Sequence, residues 1–171
     1  MKGLVKGLAV TGALVGIIGL SSCNSSNNEY DAPMAKCNSE ETVNLVKQIT
    51  ANEAREGWKK TVQFFKYTNK WIDPKVVTEM NQFTSNLEKY EKLEYIFQDD
   101  YNPKAKKYVC HATLQAQNPK TGKWIKVGKI VYTSQESVDG KVIGVSVTNV
   151  NFVDYLEDVL KSIQDEDKAK K

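Results

Sequence analysis

Near Tyr90 the hydrophobic rhythm of the chain changes, and that change limits the folds open to it. Before it, Val76, Met80, Phe83, Leu87 and Tyr90 recur at steps of four, three, four and three, the stripe of an amphipathic helix. After it, Leu93, Tyr95 and Phe97 alternate with Glu94 and Gln98, the period of a half-buried strand. Helices followed by strands imply an α+β domain in which the helices cover one face of a sheet.

The elements can be placed from their punctuation. Asn38 or Ser39 can cap a first helix, with Glu40 and Glu41 beside the positive end of its dipole. Val43, Leu45, Val46 and Ile49 supply its apolar stripe, and Gly57 predicts its end. From Trp58 to Ile72 the aromatics fall on two helical faces, so the reading there stays open. Asp73-Pro74 caps and starts the next helix. Strands are expected at about 92–98, 106–116, 124–133 and 142–148, broken by Asn102-Pro103, by NPKTGK at 118–123 and by Asp139-Gly140. Cys110 should face inward and His111 outward. Ile125 and Val127 are out of phase with Ile130 and Tyr132 unless Gly128 sits in a bulge, which is the expectation. Four consecutive strands give an antiparallel meander, and Phe152, Leu156, Leu160 and Ile163 mark a closing helix at 151–164. Residues 165–171 form a charged tail.

The N-terminus carries a different signal. Lys2 and Lys6 precede an apolar run from Gly7 to Leu20, then Ser21 and Ser22, the layout of an export signal. The run falls short of the roughly 20 residues a spanning helix needs. Leu20-Ser21-Ser22-Cys23 resembles the lipobox of bacterial lipoproteins. The resemblance implies cleavage after Ser22 and acylation of Cys23 by palmitate-type chains, so that residues 1–22 are a signal peptide and the mature chain meets the membrane through Cys23. More than one acyl chain is needed for firm attachment, because each buried methylene adds only about 0.8 kcal/mol. An ordinary secretory signal cut near the same place, leaving Cys23 a plain thiol, is the competing reading. Asn24 stands where an aspartate would suggest inner-membrane retention, so the resemblance favours the periplasmic leaflet of an outer membrane in a two-membrane source. Residues 24–36, NSSNNEYDAPMAK, are polar and aperiodic and extend the lipidated cysteine into a flexible tether, leaving one domain at 37–164.

Loss of the leader removes two of the 24 basic residues and none of the 21 acidic ones. The mature chain is then close to neutral, which gives no reason to expect nucleic acid or an anionic polymer as partner. With Cys23 lipidated, Cys37 and Cys110 remain in a compartment that permits disulfides and are expected to pair. A redox or metal role for the two is disfavoured by the absence of CxxC spacing and of further clustered ligands.

A helix stapled at its start to a strand of a following antiparallel sheet, together with KKYVCHATL at 106–114, resembles small cystatin-like and NTF2-like envelope lipoproteins over roughly residues 37–150. That arrangement hosts inhibitors, binding modules and a few enzymes, so function has to be argued from residues. His111 is the only histidine, and no nucleophile motif accompanies it. Asp99-Asp100 reads as solvated charge entering a turn. No phosphate loop or metal-ligand spacing is present, so no catalytic residue, metal or cofactor is expected. In WKKTVQFFKYTNKW at 58–71, aromatics interleave with lysines. Trp58, Phe64, Tyr67 and Trp71 form a candidate interaction surface, although a domain this small also needs large aromatics in its core. The expected function is a non-enzymatic, lipid-anchored envelope domain that binds a protein or wall component, with an inhibitor-like role as a narrower form of the same idea. The alternatives are a small hydrolase or isomerase with a helix–sheet pocket involving His111, and a structural subunit of an envelope complex.

Overall fold

The structure is a computed structural model that describes residues 15–17, 36–140 and 143–169. The expected lipidation site Cys23 and the expected tether up to residue 35 lie outside the described residues.

Helix α1 runs from Glu40 to Tyr67 and α2 from Pro74 to Ser85, followed by a 3-10 turn at Leu87–Lys89. Strand β1 is Val15–Ile17, β2 is Glu91–Asn102, β3 is Lys107–Gln117, β4 is Trp124–Glu136 and β5 is Ile143–Thr148. Helix α3 runs from Val153 to Ala169, so most of the segment expected as a charged tail at 165–171 is helical. The sheet order is β1-β5-β4-β3-β2, antiparallel throughout. The expected four-stranded meander is β2 to β5. The short strand β1, from the stretch that reads as an export signal, adds a fifth member beside β5.

Ser39 caps α1 by accepting from the Thr42 amide, and Asp73 caps α2 by accepting from the Lys75 amide with Pro74 in the first turn. Gly57 does not end α1. A mid-helix glycine costs about 1 kcal/mol relative to alanine, and burial of Ala54 and Trp58 on either side of it outweighs that. The stripe expected of the last helix is rotated. Phe152, Tyr155, Val159 and Ile163 are buried, whereas Leu156 and Leu160 are only partly so. The Tyr155 hydroxyl donates to the carbonyl of Gln117, which fixes which side of α3 turns inward.

One face of the sheet carries the core. Tyr108, Cys110, Ala112, Leu114 and Ala116 of β3 are buried, and Ile130 and Tyr132 of β4 with Val145 and Val147 of β5 continue the layer. Trp58, Met80, Leu87 and Val159 press on it from the helices. In β4 the register slips between Leu114–Gly128 and Gln115–Lys126, leaving Val127 as the extra residue. This bulge brings Ile125 into phase with Ile130, as the sequence pattern required.

The start of α1 is fastened to the middle of the sheet by three bonds. Cys37 and Cys110 form a disulfide with their Cα atoms 5.7 Å apart. The Tyr132 hydroxyl donates to the Cys37 carbonyl at 2.7 Å, and the Thr42 and Ser134 hydroxyls meet at 3.0 Å. Burial pushes the Tyr132 phenol up to about 12, so it stays a donor. The far end of the sheet is held by Asn118, fully buried at the head of the 118–123 loop. Its amide nitrogen donates to Asp158 and Ser162 of α3, and its oxygen accepts from the amides of Lys120 and Thr121.

Candidate interaction surface

Residues on β3 alternate strictly between buried and partly exposed, and the partly exposed set lies on the face away from the helices. His111, Thr113 and Gln115 of β3 stand there, with Val131 and Thr133 of β4 opposite His111 and Val109. Among the described residues no helix covers this face.

The neighbouring strand β2 delivers the aromatic and acidic members. Its register to β3 breaks twice, between Glu94 and Phe97 and between Gln98 and Asp100. At the first break Tyr95 adopts a left-handed backbone with φ of 52°, a conformation uncommon for non-glycine residues, and is left well exposed. Phe97 then pairs directly with His111, and their rings stack with centroids 5.1 Å apart and planes 27° from parallel. At the second break Asp99 is the unpaired residue, and its Oδ1 lies 2.6 Å from Nδ1 of His111. The bulge thus gives the histidine a carboxylate partner that single-strand alternation does not show. Further along, Lys92 pairs with Glu94 at 2.6 Å and lies 4.3 Å over the ring of Trp124, while Gln115 donates to the other oxygen of Glu94. Phe97 remains 54% exposed and Trp124 40%, so each offers a ring to an incoming partner.

The four aromatics singled out in the 58–71 segment divide. Trp58 is 2% exposed and donates its indole N–H to Asn81 of α2. It belongs to the core and leaves the candidate surface, because α1 continues past Gly57 with this side turned to α2. Phe64, Tyr67 and Trp71 are exposed, the last two at 88% and 78%. They gather at the C-terminal end of α1 and the link to α2, beside Lys66 and Lys70.

The histidine–carboxylate pair has the geometry of an acid–base unit, yet His111 faces away from the helices. It therefore does not line a space between helix and sheet. No group of three or more metal-ligating side chains exists among the described residues. The strongest perturbation of a carboxylate lies elsewhere, in the core. Glu91, 4% exposed, is pushed up to about 8 by burial, against a smaller opposing effect of its bond to Thr50. Tyr155 is also raised, first by burial and then by the nearby carboxylates of Glu91 and Asp158. No helix among the described residues is long and apolar enough to cross a membrane. Comparison with protein-family models, with curated proteins and with solved structures gave no match.

Proposed function

We propose that the chain is a bacterial lipoprotein whose domain, tethered through acylated Cys23, binds an envelope protein or wall component through the uncovered face of its sheet. The observation that carries this reading is the stacked Phe97–His111 pair, with the exposed Trp124 further along the same face opposite Gln117, on a sheet face with no helix over it. Exposed aromatic rings framed by charged groups are the composition of recognition surfaces, where a few such side chains carry most of the binding energy. Anchorage rests on the lipobox-like run ending at Cys23. The exposed aromatics Phe64, Tyr67 and Trp71 give a second surface of the same character and favour contact with a large partner.

Two measurements test the two halves. A clickable palmitate analogue should label the wild type and not Cys23→Ser, and the variant should leave the membrane fraction. Retained labelling or retained attachment would overturn the anchor. A photo-crosslinking residue at Phe97 should trap one discrete partner in intact envelopes, while the same residue at the exposed Gln48 of α1 should not. Equal, diffuse products from both positions would remove the sheet face from the proposal.

A further inference from the structure

The two edges of the sheet are built differently. The outer edge is β2, which has two bulges, a left-handed residue at Tyr95 and five charged residues in the run EKLEYIFQDDYN, namely Glu91, Lys92, Glu94, Asp99 and Asp100. Such features stop another strand from adding to an edge. The meander's other end, β5, has none of them. Its sequence IGVSVT contains no charge and no proline, and its register with β4 is unbroken. In the structure this edge is filled by β1, with Val15 opposite Ser146, Gly16 opposite Val145 and Ile17 opposite Gly144.

We propose that, once the leader is gone, the β5 edge accepts an extended apolar segment of a partner protein, entering antiparallel in the register now held by Val15–Ile17. The inference rests on the reading above that residues 1–22 are removed, and it names the mode by which a partner binds. Its occupant is argued from what the edge already takes, an uncharged apolar tripeptide within ALVGIIG. Main-chain hydrogen bonds give such strand addition its affinity, and alternate side-chain positions give it selectivity. Val145 lies in the row buried beneath the helices, whereas Gly144 and Ser146 lie in the uncovered row. A glycine holds the register position across from Val145, so a small residue is expected there in the partner. A second copy of the chain is a poorer occupant, because a six-residue edge falls short of the roughly 1,200 Å² that stable protein interfaces bury.

The test uses the processed protein purified from membranes in detergent, with intact mass showing whether residues 1–22 are gone. Hydrogen exchange is followed across 143–148 with and without a peptide carrying Ala13–Gly19 between flanking lysines. The control peptide has proline in place of both Val15 and Gly16. Consecutive N–H groups of a strand point to opposite edges, so this control must lose at least one that faces β5. Exchange across 143–148 should slow tenfold or more with the first peptide and stay unchanged with the second. No slowing at peptide concentrations up to about 1 mM, the weak end of recognition, overturns the inference and leaves the processing reading intact. A concentration-dependent dimer that already protects 143–148 assigns the edge to a second copy and overturns it as well. A leader still present on the isolated protein overturns both readings together.

Discussion

The Thr50 hydroxyl lies 2.7 Å from Oε2 of Glu91, across the seam between α1 and β2. The same hydroxyl is 3.0 Å from the carbonyls of Val46 and Lys47, and one proton cannot serve three acceptors. A protonated Glu91 resolves the conflict. Its carboxyl proton goes to the Thr50 oxygen, and Thr50 gives its own proton to the helix backbone. Oε1 of Glu91 has no hydrogen-bond partner among the described residues, a further cost if the group is charged.

The pH dependence of stability follows from that proton. Glu91 titrates at about 8 when folded, against an ordinary 4.5. The folded chain therefore holds a proton that the unfolded chain releases, and its contribution to stability is full below 4.5 and lost as pH rises to about 8. Between those limits stability should fall by up to about 1.4 kcal/mol per pH unit. Glu91→Gln should flatten this slope and make the protein more resistant to urea than wild type at pH 9, with little difference at pH 4.5. Equal midpoints for the two proteins at every pH would show that Glu91 is not protonated in the fold.

The disulfide spans a sequence separation of 73 residues. In the chain-entropy description a loop of that size stabilises by about 4 kcal/mol. Paired replacement, Cys37→Ala with Cys110→Ala, should lower the urea midpoint accordingly, and reductant should then have no further effect. A midpoint shift equivalent to under about 1 kcal/mol would mean that Tyr132 and Thr42 hold the start of α1 by themselves.

Two tryptophans of the same segment should behave oppositely. Trp58→Ala empties a buried site and removes the indole bond to Asn81, costing about 3–5 kcal/mol. Trp71→Ala should change stability by less than about 0.5 kcal/mol while weakening any binding that uses the end of α1. Thermal unfolding of both variants against wild type reads the difference.

Asn118→Ala removes the hub that joins the 118–123 loop to α3. Several bonds are lost at once, so a cost of about 2–4 kcal/mol is expected, each buried orphan contributing roughly 1–3. Asp158 and Ser162 should show faster amide exchange around them. Asn118→Asp should not rescue, because an acid placed beside Asp158 is repelled where the amide donated.

Much of this architecture was legible because it depends on local chemistry. Asp73-Pro74 specifies a helix start whatever follows it, and the alternation in β3 sorts Cys110 inward and His111 outward without knowledge of any neighbour. The misfit of Ile125 against Ile130 required a bulge near Gly128, and the slip at Val127 supplies it. What escaped detection depends on pairing between distant segments. Asp99 reaches His111 only because β2 slips twice against β3, and nothing within either strand records that slip. Helix α1 continues past Gly57 because burial of the glycine's neighbours outweighs its local preference, and α3 turns Tyr155 inward because its hydroxyl finds an acceptor on Gln117. The hub role of Asn118 was hidden for the same reason, since a turn-forming asparagine looks alike whether exposed or buried.

The cross-link at the head of α1 also decides how the domain meets mechanical load. Under the anchorage proposed above, a pull arriving from the N-terminal side reaches Cys37 first and passes through sulfur into β3, a strand flanked on both sides by others. Helix α1 is thereby spared from being peeled off turn by turn. A body stitched in this way would resist tension from its N-terminal side by shearing an interior strand, the more demanding route, and would keep its outward face in shape while the surface beneath it moves.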